Sequence, residues 1–199
     1  MSESTKNIRP FVGLVLAAGY SSRMGQDKAQ LKLNGETLLQ RNITLLQDIG
    51  AADVFVNRND FTEGSLPDIY PDHGPLSGIH SALFESKESC LSVPILVLPI
   101  DMPLLSEELL ICLVEAGLTM NSAVYYMDHP LPVFIPNTSM AREYLETILS
   151  DVSVAKPSRS VQRFLKCINA IPLSTSENDK LINTNTPEQW HELVNSYKL

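Results

Sequence analysis

Apolar and polar residues fall in blocks along the chain, and the blocks read as strands and helices in turn. Phe11 to Leu16 is an apolar run with the look of a buried strand. Leu31 to Glu36 alternates and turns at Asn34-Gly35. Thr37 to Ile49 predicts an amphipathic helix, with Leu38, Leu45 and Ile49 on its apolar side and Gly50 as a stop. Ala52 to Val56 is a short apolar strand ending at Asn57. After a turn-rich stretch, Ile79 to Ser86 predicts a helix. Val93 to Ile100 is nearly all apolar, as in a strand covered on both faces. Ser106 stands where it would cap a helix running to about Ala116.

Two short strands, Val124 to Tyr126 and Val133 to Ile135, are predicted around a loop from Met127 to Pro132. Thr138 to Leu149 and Ser158 to Cys167 predict helices, each opened by a hydroxyl residue. A short strand at Ile182 leads to a last helix. There Thr186 is the N-cap, Pro187 takes the first helical position and Gln189 completes a capping box. Strand, loop, helix, strand at the start is the opening of a βαβ unit, so a parallel sheet with helices on both faces is expected. Ligands of such sheets sit at the carboxyl ends of the strands, which puts Gly19 and Asn57 on one edge. The 199 residues suit one domain, without repeats or low-complexity stretches.

Composition narrows the class. The hydrophobic share of 44% and charged share of 19% are ordinary for a globular protein. No apolar run approaches the ~20 residues needed to span a bilayer. Met1 to Pro10 is polar, so no secretory signal is expected there. Cys90, Cys112 and Cys167 are scattered and lack a metal-ligand pattern. They read as reduced thiols, mostly in the core, of a cytoplasmic protein. The net charge of −8 argues against nucleic acid as a partner. Positive charge is concentrated instead: seven of the fifteen Lys and Arg lie between Lys6 and Arg58.

Candidate chemistry begins where the first strand ends. Leu16-Ala17-Ala18-Gly19 breaks the apolar run into small residues, whose bare N–H groups can cradle phosphate oxygens. Arg23 and Lys28 add two cations to the same loop. This describes a nucleotide-triphosphate site, or a polar connector with solvated cations. The spacing matches neither the P-loop nor the dinucleotide fingerprint. Asp101 closes the most apolar strand. A carboxylate there is costly to desolvate unless it meets a cation such as Mg²⁺, and the alternative is a turn or capping aspartate before Pro103. Gly74 and Gly78 flank a helix start that could bind an anion or a base edge, or be a plain connection. Arg159, Arg163 and Lys166 form a late basic group on a predicted helix.

These motifs carry a resemblance. Leu16-Ala17-Ala18-Gly19-x-Ser21-x-Arg23-Met24-Gly25-x-Asp27-Lys28 resembles the signature loop of Rossmann-like nucleotidyltransferases, and most closely the molybdenum cofactor guanylyltransferases, the MobA family. Ala18 departs from the glycine usual there and is more usual in cytidylyltransferases and sugar-nucleotide enzymes. Gly74-Pro75-Leu76-Ser77-Gly78 is similar to the family's Gly-Pro-Leu-Ala-Gly motif, which an aspartate precedes. Here that is Asp68 or Asp72, with Asp68 favoured on alignment. Leu98 to Pro103 resembles the segment whose aspartate holds the metal. Asn183-Thr184-Asn185-Thr186-Pro187-Glu188 is similar to the Asn-x-Asn-Thr-Pro-Glu sequence whose asparagines face the molybdopterin.

The resemblance implies a three-layer α/β/α sandwich with a mostly parallel sheet, in one domain over residues 1–199. It implies transfer of GMP from GTP to the molybdenum-bearing pterin, with release of pyrophosphate. Lys28, Arg23 and Asp101 would be catalytic, with Asp101 holding Mg²⁺. Leu16, Ala17, Ala18, Gly19, Lys28, Asn57, Asp68, Gly74, Gly78 and Asp101 would hold the nucleotide in the N-terminal half. Asn183 and Asn185 would hold the acceptor in the C-terminal half, His129 would line its pocket, and cofactor-delivery proteins are conceivable partners. Two other readings stay open. One is a cytidylyltransferase or sugar-phosphate nucleotidyltransferase; the other is a nucleotide-binding module without catalysis.

Overall fold

The computed structural model describes residues 10–18, 27–60, 63–88, 93–151 and 160–196. The expectations for Gly19, Arg23, Cys90 and Arg159 lie outside these residues. A seven-stranded sheet runs through the centre. It contains β1 (Val12–Leu16), β4 (Asp53–Asn57), β5 (Ser65–Leu66), β6 (Ile95–Pro99), β7 (Val124–Tyr126), β8 (His129–Ile135) and β9 (Ile171–Leu173), in the order β5-β4-β1-β6-β8-β7-β9. β8 runs against both of its neighbours, and the other four pairings are parallel. Two further strands, β2 (Lys32–Leu33) and β3 (Glu36–Thr37), make a small hairpin. Its turn is Asn34-Gly35, with φ of 53° and 87°. Those are the two positive values that a tight hairpin needs.

The helices are α1 (Leu38–Asp48), α2 (Pro75–Glu88), α3 (Glu107–Met120), α4 (Ser139–Ser150), α5 (Val161–Cys167) and α6 (Pro187–Ser196). The central strands look continuously apolar because each face has its own core. Val12, Leu14, Leu16, Ile95 and Val97 pack under α2, α4 and α5. Phe11, Val15, Leu96 and Leu98 pack under α1 and α3. This is the expected three-layer α/β/α sandwich. α6 closes the hairpin side, with Trp190 and Leu193 against Leu31, Leu33 and Leu38. Among the described residues, no helix is long and apolar enough to cross a membrane.

Several elements differ from expectation. α2 begins at Pro75, four residues before Ile79, because proline at a first helical position costs no hydrogen bond. Gly78 is therefore inside the helix and not at a loop edge. The segment from His129 to Pro132 is strand and not loop, since the Met127-Asp128 turn closes the hairpin in two residues, with Asp128 at φ 66°. His129 pairs with Tyr126 and is not among the residues lining the cavity described below.

Ser106 occupies the N-cap of α3 but makes no side-chain cap bond. Its hydroxyl takes a hydrogen bond from Lys180 Nζ at 3.4 Å instead. α5 is capped by Ser160, which accepts from Arg163 N, while Ser158 lies outside the described residues. Ile182 is extended, but the segment from Ile182 to Thr184 forms no strand. Cys112 and Cys167 are free and exposed, not core, because α3 and α5 bury Leu109, Leu113, Phe164 and Leu165 instead.

Candidate active site

The carboxyl ends of β1, β4 and β6 meet at one edge. Leu16, Asn57 and Pro99 stand in register there, and Ala17 N extends the ladder to Asn57 O at 3.0 Å. A cavity of about 410 Å³ opens beyond this edge. Of the expected site residues, Leu16, Ala18, Lys28, Asn57, Asp68, Gly74, Asp101 and Asn183 line it. Ala17 is buried just beneath and does not line it. Gly78 does not line it either. A side chain at Gly78 would collide with Asn57 Oδ1 and with Leu16, so its role is to let α2 approach the strand ends. Arg163 and Lys166 are exposed on α5 and do not reach the cavity, because α5 buries its opposite side in the core.

One wall is built from two asparagines and an aspartate. Asn57 is 2% exposed and donates from Nδ2 to Leu66 O at 3.0 Å and to Asp68 Oδ1 at 2.8 Å. Asn59 donates to the other oxygen, Asp68 Oδ2, at 2.7 Å, and accepts from Asp68 N at 2.8 Å. Both carboxylate oxygens of Asp68 thus have an amide donor, and the side chain is oriented before any ligand arrives. Asp72, at φ 66°, lines the same cavity. Asn59 was not foreseen. Its signal was a second asparagine two positions past Asn57, at the point where the apolar strand gives out. The apolar walls at Pro75, Ile100 and Leu131 carried no signal that separates them from core residues.

The site also carries charge. Asp27 caps a 3-10 turn over Lys28–Gln30, accepting from Ala29 N at 2.9 Å through Oδ1. Its Oδ2 accepts from Arg58 Nη2 at 2.9 Å, and Arg58 also donates to Asp60 at 2.8 Å. The hydrogen bond to Asp60, followed by that to Asp27, raises the Arg58 pKa and keeps the guanidinium charged. Lys28 is thereby aimed into the cavity from a fixed turn. Its Nζ lies 3.3 Å from Asp101 Oδ2 and 3.0 Å from Asn185 Oδ1. The two side chains are 14% and 20% exposed.

Asp101 is in turn held by the C-terminal segment, since its carbonyl accepts from Thr184 N at 2.8 Å. Asn185 N donates to Gln189 Oε1 at 2.7 Å, as part of the capping box that Thr186 and Gln189 form. The lysine, the aspartate and Asn185 form one group, with Asn183 on the cavity wall beside them. No cluster of three or more His, Cys, Asp or Glu side chains able to hold a metal occurs among the described residues. A cation at Asp101 would draw on substrate phosphates and water as well as on the protein, as Mg²⁺ does.

Known proteins resemble the chain throughout. Residues 13–168 match the model of the MobA-like NTP transferase domain. A molybdenum cofactor guanylyltransferase of Xanthomonas euvesicatoria is 37% identical over 94% of this chain and 95% of its own length. A probable molybdenum cofactor guanylyltransferase of Opitutus terrae is 30% identical over 92% of this chain and 94% of its own. Among solved structures, a molybdopterin-guanine dinucleotide biosynthesis protein A from Archaeoglobus fulgidus shares the fold. Its TM-score is 0.72 at 20% identity, over 94% of this chain and 98% of that one. A 2-C-methyl-D-erythritol 4-phosphate cytidylyltransferase from Thermus thermophilus superposes with a TM-score of 0.68 at 16% identity, over 96% and 100% of the two chains. The fold is thus common to enzymes named for different bases, while the two sequence relatives above are named as guanylyltransferases. With its signature strands, Asp101 and most of its length inside that match, the chain belongs to the MobA-like NTP transferase family of nucleotidyltransferases.

Proposed function

We propose that this protein transfers GMP from GTP to the molybdenum-bearing molybdopterin, forming the guanine dinucleotide and pyrophosphate in the cytoplasm. The observation that carries the reading is the pairing of Lys28 with Asp101 in the lining of a cavity that also holds the Asp68 bracket. A cation and a carboxylate side by side suit a triphosphate and its counter-ion. The oriented carboxylate of Asp68 suits guanine, which offers two adjacent donors, N1–H and the exocyclic amine. Cytosine offers one donor beside an acceptor, which a carboxylate repels.

In the transfer, an oxygen of the acceptor's phosphate attacks the α-phosphorus of GTP. The bond from that phosphorus to the bridging oxygen breaks, and pyrophosphate leaves with the electron pair. Lys28 neutralises charge that grows on the phosphates, and Arg23 is assigned the same task. Asp101 would hold Mg²⁺, which when bound supplies further charge neutralisation. The binding turn and strand ends hold the reactants in line, so positioning supplies much of the acceleration. Asn183 and Asn185 are assigned to the acceptor, since an amide can both donate to and accept from a pterin edge. The nucleotide occupies the N-terminal half of a single domain, and the acceptor enters over the C-terminal half. Proteins that deliver the pterin would dock on that side.

The test is turnover with GTP, CTP, UTP and ATP in parallel, each with Mg²⁺ and the molybdenum-loaded pterin. Pyrophosphate release and dinucleotide formation with GTP alone are expected. Faster turnover with CTP overturns the guanine assignment, and binding without turnover by any nucleotide overturns the catalytic one.

A further inference from the structure

A cluster of titratable side chains lies behind the cavity and takes no part in the transfer. Glu146 of α4 uses both carboxylate oxygens. Oε1 accepts from the Tyr70 hydroxyl at 2.6 Å, and Oε2 lies 2.7 Å from His80 Nε2. His80 is 1% exposed, and its Nδ1 is buried without a hydrogen-bond partner among the described residues. A carboxylate can only accept, so Nε2 carries the proton shared with Glu146. The His80 ring meets Tyr70 edge-on, with centroids 5.2 Å apart, and leans on Phe84 at 4.3 Å.

Tyr70 sits in the middle of the loop that supplies Asp68, Asp72 and Gly74 to the cavity. α2 grips this loop through the main chain: the Ser77 hydroxyl donates to Tyr70 O, and Ile69 N donates to the Ser81 hydroxyl at 3.0 Å. Glu146 grips it through a side chain from a second helix. Apolar contacts would join α2 to α4 as well as an ion pair does, and often with more net stability. What the carboxylate adds is a fixed position for Tyr70, defined by a short directional bond. The Glu146 pKa is lowered first by the Tyr70 hydrogen bond and then by His80, as expected for a carboxylate satisfied on both oxygens.

We propose that Glu146 is a positioning residue for base recognition: by holding Tyr70 against His80 it sets where Asp68 and Asp72 stand around the nucleotide base. The inference rests on the reading that the cavity takes GTP.

The experiment measures GTP and CTP affinity by calorimetry, with Mg²⁺, on the wild type, Tyr70→Phe, Glu146→Gln and the double variant, together with kcat and the melting temperature. Tyr70→Phe removes one hydroxyl and keeps the ring. Losing its charge-assisted bond is expected to weaken GTP binding about tenfold, less than the full value of such a bond because α2 still holds the main chain. CTP affinity should change less, so the preference for GTP narrows, and kcat at saturating GTP should stay within about twofold. The double variant should be no worse than either single one, as for two ends of one contact. Unchanged GTP affinity in Tyr70→Phe, or a parallel fall for both nucleotides that tracks the melting temperature, overturns the positioning role. A wild-type protein that prefers CTP refutes the guanine reading itself. The positioning role then stands if the variants erode that preference and falls if they leave it intact.

Discussion

Lys28 Nζ donates to Asn185 Oδ1 at 3.0 Å, across 157 positions of sequence. The bond joins the turn after the first strand to the segment that precedes the last helix. Residues assigned to different substrates therefore touch, and a change in one half can reach the other through Lys28.

Asn185→Ala is accordingly expected to weaken GTP as well as the acceptor. The bond lies at an exposed edge, so the loss in GTP affinity should be about 0.5–1.5 kcal/mol, below that of Lys28→Ala at about 1.5–3 kcal/mol. Stability should barely change, because the bond from residue 185 to Gln189 Oε1 uses the backbone N–H and survives the substitution. Calorimetric titration with GTP and a melting curve check both points. Pterin affinity that falls while GTP affinity holds would show that Lys28 does not depend on this contact.

Asp101→Asn tests the counter-ion. The Thr184 contact goes to the Asp101 carbonyl, so the C-terminal segment stays docked. The fold should melt within about 2 °C of the wild type, the shift that about 0.5–1 kcal/mol produces in a protein of this size. Turnover should fall on the order of 10²–10³-fold, since charge neutralisation at the phosphates is lost. Steady-state rates across a Mg²⁺ series measure this, and a near-normal rate at saturating Mg²⁺ removes the metal role from Asp101.

What could be read in advance was local or strictly periodic. Thr186, Pro187 and Gln189 lie within one turn of helix, and their capping box forms as read. Asn34-Gly35 announces a hairpin by backbone chemistry alone. Asp101 stands at the end of an apolar strand that is buried as expected. The misreadings came from tertiary demands. Gly78 reads as a glycine at the edge of a helix, but it lies inside α2, where a side chain would strike Asn57. His129 reads as a loop residue beside Pro130, yet it pairs with Tyr126 of β7 across the two-residue turn, which draws the segment into the sheet. Ser106 has the identity and position of a cap, but Lys180, 74 positions away, takes its hydroxyl. Asn59 matters because Asp68, nine positions along the chain, folds back onto it.

Asp68 and Asp72 should prove unequal. Asn57 and Asn59 orient the Asp68 carboxylate before a ligand binds, so little ordering is left to do on association. Asp72 is exposed at a left-handed turn position. Asp68→Ala should cost about 1.5–3 kcal/mol of GTP affinity and narrow the preference over CTP. Asp72→Ala should cost well under that. Asp72→Ala with the larger effect on base preference would move the recognition of guanine four residues along the loop.

Glu146 and Tyr70 also predict the pH dependence of stability. The Tyr70 hydrogen bond, then the His80 bond, lowers the Glu146 pKa below its ordinary 4.5. The same bond raises the Tyr70 pKa above its ordinary 10. A depressed carboxylate contributes stability that is present above its unfolded pKa and lost as pH falls through the folded one. A raised tyrosine contributes stability that is fully present below its unfolded pKa and lost as pH rises through the folded one. The contribution of the pair should therefore be flat from about pH 5 to 9 and shrink on both sides. Glu146→Gln has no carboxylate to protonate and no charge to hold the tyrosine neutral. The difference in urea stability between wild type and this variant should be constant over the plateau, then narrow below about pH 4.5 and above about pH 10. A difference that persists unchanged at about pH 3 would mean that the unfolded chain protonates at the same pH as the folded one, and that the two bonds to Glu146 do not favour its charged form.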